Sequence, residues 1–128
     1  MLTSIQCSKD NDNFGIPLVF VNLRLNVNNP SFFNLSVTGG WEYVAGGSRG
    51  ILVYRARPNE FMAYDRHSTY NVEAGCRVEV DSTNFGVEDP CSGSRWSIFD
   101  GSVIQGPAAM PLKPYQTFFD GTFLTISN

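Results

Sequence analysis

From Leu18 to Asn28 apolar and polar residues alternate: Val19, Val21, Leu23, Leu25 and Val27 fall on one face, and Phe20, Asn22, Arg24 and Asn26 on the other. A period of two sends successive side chains to opposite faces of an extended chain, so this run predicts a half-buried strand. Phe20 is the apolar residue on its outward face. "FFNLSV" repeats the pattern with Phe33, Leu35 and Val37 and predicts a second strand, closed by Gly39 and Gly40. "WEYVAGG" predicts a third. "RGILVYRA" (Arg49 to Ala56) and "FMAYDR" (Phe61 to Arg66) flank the turn "RPNE". Pro58 presets the backbone at the second turn position, and the two runs together predict a hairpin.

Beyond a loop from His67 to Gly75, "CRVEVD" predicts a strand with Val78 and Val80 on one face. "RWSIFDGSVIQG" and "YQTFFDGTFLTIS" each carry Asp-Gly between strand-like runs, at Asp100-Gly101 and Asp120-Gly121, a strong short-range hairpin signal. Between them Pro107, Pro111 and Pro114 remove ladder donors and mark an irregular or edge segment. Helix signals are nearly absent. The expectation is an all-β chain, a single antiparallel β-sandwich of roughly nine or ten short strands over residues 16–128. Residues 1–15 are expected to form a flexible tether, because "SKDNDN" has too little apolar content to order itself.

With 128 residues, the chain is long enough to bury about two-thirds of the surface its unfolded form exposes. An aromatic fraction of 13% with 12 glycines and 7 prolines fits short strands joined by tight turns. The net charge is -3, and the nine lysines and arginines are dispersed along the sequence. A nucleic-acid partner is therefore not expected, since that needs a concentrated basic patch. No stretch approaches the roughly 18 consecutive apolar residues of a membrane span, so membrane contact is expected only through an anchor.

The chain has three cysteines, Cys7, Cys76 and Cys91. "LTSIQC" loosely resembles the stub of a bacterial lipoprotein signal, with Gln6 where a small residue is preferred, which makes Cys7 a lipidation candidate directly ahead of the tether. The alternative is an ordinary cysteine in a terminal segment. "GGSRG" (Gly46 to Gly50) matches the G-x-S-x-G spacing of a nucleophile elbow, but that motif needs a helix after it, and Ser48 precedes "ILVY". A turn is expected there. His67 is the single histidine and Asp65 points the same way on an extended chain, yet no nucleophile has an evident place beside them. No catalytic site is expected.

"FMAYDRHSTYN" followed by "DPCSGSRWSIFDGSVIQGPAAMPLKPYQT" resembles the cluster-binding subdomain of Rieske [2Fe-2S] proteins. Their two loops read C-x-H and C-P-C-H-G-S-x-F, followed by D-G, G-x-x-x-x-G-P-A and P-L. The resemblance spans Phe61 to Thr117, with Pro90, Cys91, Gly93, Ser94, Arg95, Trp96, Asp100, Gly101, Gly106, Pro107, Ala108, Pro111 and Leu112 in register. It implies a Rieske-like fold. At the ligand positions it sets Ser68 and Tyr70 in the first loop and Asp89 and Ser92 in the second. A Rieske cluster takes two thiolates on one iron and two imidazoles on the other, and hard oxygen donors match it poorly. No cofactor and no metal is therefore expected at these loops.

The resemblance further implies a disulfide between Cys91, at a cysteine position that is not a cluster ligand, and Cys76, just past the first loop. The alternative is two buried thiols. A disulfide points to an oxidising compartment, here a bacterial cell envelope, periplasmic or anchored to the outer membrane through Cys7. The implied function is a non-catalytic, cluster-free domain acting in binding or structural support with an unidentified protein or envelope partner. Tyr70, Phe85 and Trp96 would form an aromatic contact patch near the loop tips or cover a core edge. The other reading is an electron carrier holding a metal through atypical ligands such as His67, Asp89 and Cys91.

Overall fold

The unbroken run Ile51, Leu52, Val53 and Tyr54 is buried throughout, as a strand covered on both faces requires. It lies at the centre of a computed structural model that describes residues 14–128. Cys7 and nearly all of the expected tether lie outside the described residues. Ten strands follow in chain order: β1 (Asn22–Asn26), β2 (Trp41–Val44), β3 (Ile51–Arg57), β4 (Glu60–Asp65), β5 (Glu79–Val80), β6 (Gly86–Glu88), β7 (Arg95–Ser97), β8 (Val103–Gln105), β9 (Gln116–Phe119) and β10 (Phe123–Ser127). They form three antiparallel sheets with strand orders β1-β10-β9, β2-β3-β4 and β5-β6-β7-β8.

Alternation along β3 and β4 fills two core layers, one on each side of the middle sheet. Ile51, Val53, Phe61 and Ala63 pack with Leu124 and Ile126 from β10. Leu52, Tyr54 and Tyr64 pack instead with Val87 and Trp96 from the four-stranded sheet. The run before β9 closes onto β4: the Asp65 N–H donates to the Lys113 carbonyl at 2.9 Å and the Tyr115 N–H to the Ala63 carbonyl at 2.8 Å. β4 therefore ends beside the segment that leads into β9, and the first of the two loops of interest leaves from that end.

Phe20 is 81% exposed while Val21 and Val27 are buried, as the alternation predicts. The strand itself is shorter than its pattern, since β1 begins only at Asn22. "FFNLSV" is not a strand. Residues Pro30–Ser36 form two short 3-10 turns that meet at a kink at Phe32, with the Asn29 side chain accepting from the Ser31 N–H at 2.8 Å and Pro30 in the first turn. An Asn cap followed by proline starts a helical turn more strongly than three alternating apolar residues hold a strand. Leu35 alone of the three is buried; Phe33 and Val37 face outward. β6 was not predicted from the pattern: it has only three residues, one of them a glycine, too few to show an alternation.

Both Asp-Gly hairpins form. At the second, Asp120 occupies the first turn position, its Oδ1 accepting from the Thr122 and Phe123 N–H groups, and Gly121 takes the positive φ of 104°. Among the described residues no helix is long and apolar enough to cross a membrane.

Candidate functional site

Two loops meet beyond the end of β4. The first follows Asp65 and contains a short 3-10 turn, Val72–Ala74; the second joins β6 to β7. Asp89, almost wholly buried, is the centre of their contact. Its Oδ2 accepts from the Ser68 hydroxyl at 2.8 Å and from the Ser92 hydroxyl at 3.0 Å, and its Oδ1 accepts from the Cys91 N–H at 2.8 Å. Ser94, also buried, has its hydroxyl 2.9 Å from that of Ser92 and accepts from the Ala108 N–H. A buried carboxylate is stable only when donors replace its lost water, and here three donors from two loops do so.

Three of the four positions singled out by the resemblance, Ser68, Asp89 and Ser92, thus come together. Tyr70 joins only through its backbone: its N–H donates to Ser68 Oγ at 3.1 Å and its carbonyl oxygen lies 3.2 Å from the same hydroxyl, while the residue is partly exposed. Beside the network Cys76 and Cys91 form a disulfide with a Cα–Cα distance of 6.4 Å. The Ser68 N–H donates to the Cys76 carbonyl, so the first loop is closed onto the segment that carries the bridge.

His67 does not join Asp89 and Cys91 in a ligand set. Its Nδ1 lies 2.9 Å from Ser48 Oγ and its Nε2 2.8 Å from the Val72 carbonyl oxygen. A carbonyl only accepts, so Nε2 carries a proton; in the neutral ring Nδ1 then accepts the Ser48 hydroxyl. Both ring nitrogens are engaged. The group of metal-capable donors that does assemble is Cys76, Asp89 and Cys91, with ligand atoms within 4.8 Å of one another and both sulfurs tied in the disulfide.

The Ser48–His67 contact spans 19 residues and has no local signal in the sequence. Pairing of Val44 with Ile51 and of Ile51 with Asp65 lays the Gly46–Gly50 turn over the end of β4. Asp65, fully buried, fixes the turn there. Its carboxylate accepts from the N–H groups of Ser48, Arg49 and His67, and from the Tyr115 hydroxyl at 2.7 Å. Burial first, then that hydrogen bond and the Asp65 charge, push the Tyr115 phenol well above its ordinary pKa. "GGSRG" is a turn with no helix after it, as expected. A serine beside an oriented imidazole has the arrangement of a nucleophile and base, but acyl transfer also needs donors for the developing oxyanion. The nearest backbone donors, those of Ser48 and Arg49, already serve Asp65.

Of the three aromatic residues expected near the tips, Trp96 is fully buried and donates Nε1–H to the Met110 carbonyl at 2.8 Å. It fills the core. Phe85 is 75% exposed.

The chain is similar in fold to solved Rieske proteins and ferredoxins. It matches the plasma membrane Rieske protein PetC3 of the cyanobacterium Synechocystis PCC 6803 with a TM-score of 0.58 at 21% identity, covering 86% of this chain and 99% of that one. The ferredoxin of carbazole 1,9a-dioxygenase from Nocardioides aromaticivorans IC177 matches with a TM-score of 0.54 at 15% identity over 84% and 97%. The Sphingomonas yanoikuyae B1 ferredoxin matches with a TM-score of 0.51 at 19% identity over 84% and 98%. No family model matches the chain, and no curated protein does. The architecture is Rieske-like.

Proposed function

We propose that this Rieske-fold domain is a non-catalytic binding or structural module, whose loop tips are fastened by a disulfide and a buried carboxylate in place of an iron-sulfur cluster. The observation that carries this reading is the setting of Asp89. It lies at a position that the resemblance assigns to a cluster ligand, and its oxygens are already taken by Ser68, Ser92 and the Cys91 N–H. A Rieske cluster requires two thiolates and two imidazoles. This chain has one histidine and three cysteines, two of the latter in the bridge. The residues at the tips do not fit the group.

The disulfide favours an oxidising compartment. Placement in a bacterial envelope, with Cys7 acylated, belongs to the same reading; the mass of the chain extracted from native membranes tests it. The cluster-free reading is tested by anaerobic incubation of the thiol-reduced protein with ferrous iron and sulfide. No stable [2Fe-2S] absorption is expected, and one cluster per chain would refute it.

One observation favours a second reading, an atypical metal protein. Reduction of the bridge would present two thiolates beside Asp89 in one small volume. Tight zinc or iron uptake that appears only after reduction would support it.

A further inference from the structure

We propose that the cleft beneath the Gly46–Gly50 turn binds a phosphate-type oxyanion through Arg49, Arg66 and Arg77. The cleft has a volume of about 470 Å³ and is lined by those three arginines together with Tyr43, Ser48 and the turn's glycines. Nine basic residues dispersed through an acidic chain gave no sign of such a cluster; the fold gathers three of them.

Each arginine arrives from a different segment. Arg49 sits at the tip of the turn, Arg66 directly after β4, and Arg77 one step beyond the disulfide, in the bridge that pairs it with His67. Arg66 is held in place: its Nε donates to the Val78 carbonyl at 3.0 Å and its guanidinium lies 3.6 Å from the centre of the Tyr43 ring. Gly50 lies between two of them. Its carbonyl accepts from the Arg66 N–H, and a Cβ there would touch Arg66 Cδ at 3.6 Å.

Among the described residues no carboxylate comes within salt-bridge distance of any of the three; the ion pairs that do form are Arg57–Glu60 and Arg95–Asp81. Burial pulls Arg66 below its ordinary pKa and outweighs the opposing effect of Tyr43, and the charge of Arg77 adds to the lowering against that of Glu79. Like charges held together with no carboxylate paired directly to them attract an anion, and guanidinium forks offer paired donors to its oxygens. Three forks approaching from separate segments offer more donors than a planar carboxylate can accept, which favours a tetrahedral phosphate. A soluble phosphate monoester and a phospholipid headgroup share this chemistry. The inference does not depend on whether the loop tips hold a metal.

The test is calorimetric and NMR titration of the full chain at low ionic strength with inorganic phosphate, with glycerol phosphate, and with phosphatidic acid vesicles against phosphatidylcholine vesicles. Saturable phosphate binding is expected, with amide shifts confined to the Tyr43–Gly50 turn, Arg66 and Arg77. Arg49→Gln and Arg77→Gln, both at exposed side chains, should each weaken binding about tenfold, the scale of one charge-assisted hydrogen bond. Arg57→Gln should leave it unchanged. Beyond inorganic phosphate, retention on phosphatidic acid vesicles that Arg49→Gln weakens, without binding of glycerol phosphate, would assign the headgroup as the source; binding of glycerol phosphate would assign the soluble one. Absence of saturable binding, shifts elsewhere, or equal losses in Arg57→Gln and Arg49→Gln would overturn the site.

Discussion

The Ser68 hydroxyl donates to Asp89 Oδ2 at 2.8 Å across 21 residues of sequence, and both residues are buried. One hydrogen bond thus joins the two loops at positions that hold metal ligands in the family the sequence resembles. Asp89→Ala would remove the acceptor shared by the Ser68 hydroxyl, the Ser92 hydroxyl and the Cys91 N–H. A loss of about 2 to 4 kcal/mol in unfolding free energy is expected, against about 1 kcal/mol for Ser68→Ala. Urea unfolding with an unchanged m-value measures both. An Asp89→Ala variant as stable as the parent would remove the network from the account.

Bridging residues 15 apart, the Cys76–Cys91 disulfide restricts the unfolded chain. Its reduction, or Cys91→Ser, should cost about 3 kcal/mol. Thiol titration of unfolded, unreduced, unacylated protein should find Cys7 alone. Three reactive thiols would show that the bridge does not form.

Tyr64 and Tyr115 both have phenols raised above the ordinary value of 10.0, mainly by burial. A raised folded-state pKa means that the folded chain keeps protons the unfolded chain releases. The stabilisation is complete below the unfolded value and is lost as pH rises through it toward the folded one. Stability should therefore fall above about pH 10, by up to about 1.4 kcal/mol per pH unit for each phenol. Tyr115→Phe should flatten that slope by one group while lowering stability at neutral pH by about 1 kcal/mol through loss of its bond to Asp65. Unfolding midpoints across the alkaline range check this; a slope unchanged in Tyr115→Phe would contradict it.

Gly47 and Gly121 both adopt positive φ, at 63° and 104°, but their surroundings differ. A Cβ on Gly47 would lie 2.5 Å from Asp65 Oδ2 and 2.6 Å from the Tyr115 hydroxyl, whereas one on Gly121 meets nothing within 4 Å. Gly121→Ala should cost about 1 kcal/mol from backbone strain alone. Gly47→Ala should cost clearly more, and part of the excess should vanish in a Tyr115→Phe background. Equal costs for the two alanine variants would mean that Asp65 does not fix the turn.

Local patterns in the sequence disclosed much of this fold. The apolar run at Ile51 to Tyr54, the exposed Phe20 and the two Asp-Gly hairpins each depend on neighbouring residues, and each took its expected form. Where a stronger local signal competed, as at Asn29-Pro30, alternation lost to the helical turn. The loop positions Ser68, Asp89 and Ser92 were legible through the resemblance, although nothing in the sequence told that Asp89 would gather both serines. Ser48 beside His67, and three arginines around one cleft, were not legible at all. Strand register creates those contacts, and register is a property of the whole sheet.

Metal content with electron paramagnetic resonance, on protein purified anaerobically from its native source without chelators, decides whether these loop tips carry a cluster. Iron far below one equivalent per chain and no signal after dithionite reduction are expected. Two irons and two acid-labile sulfides per chain, with a reduced [2Fe-2S] spectrum, would contradict the cluster-free reading.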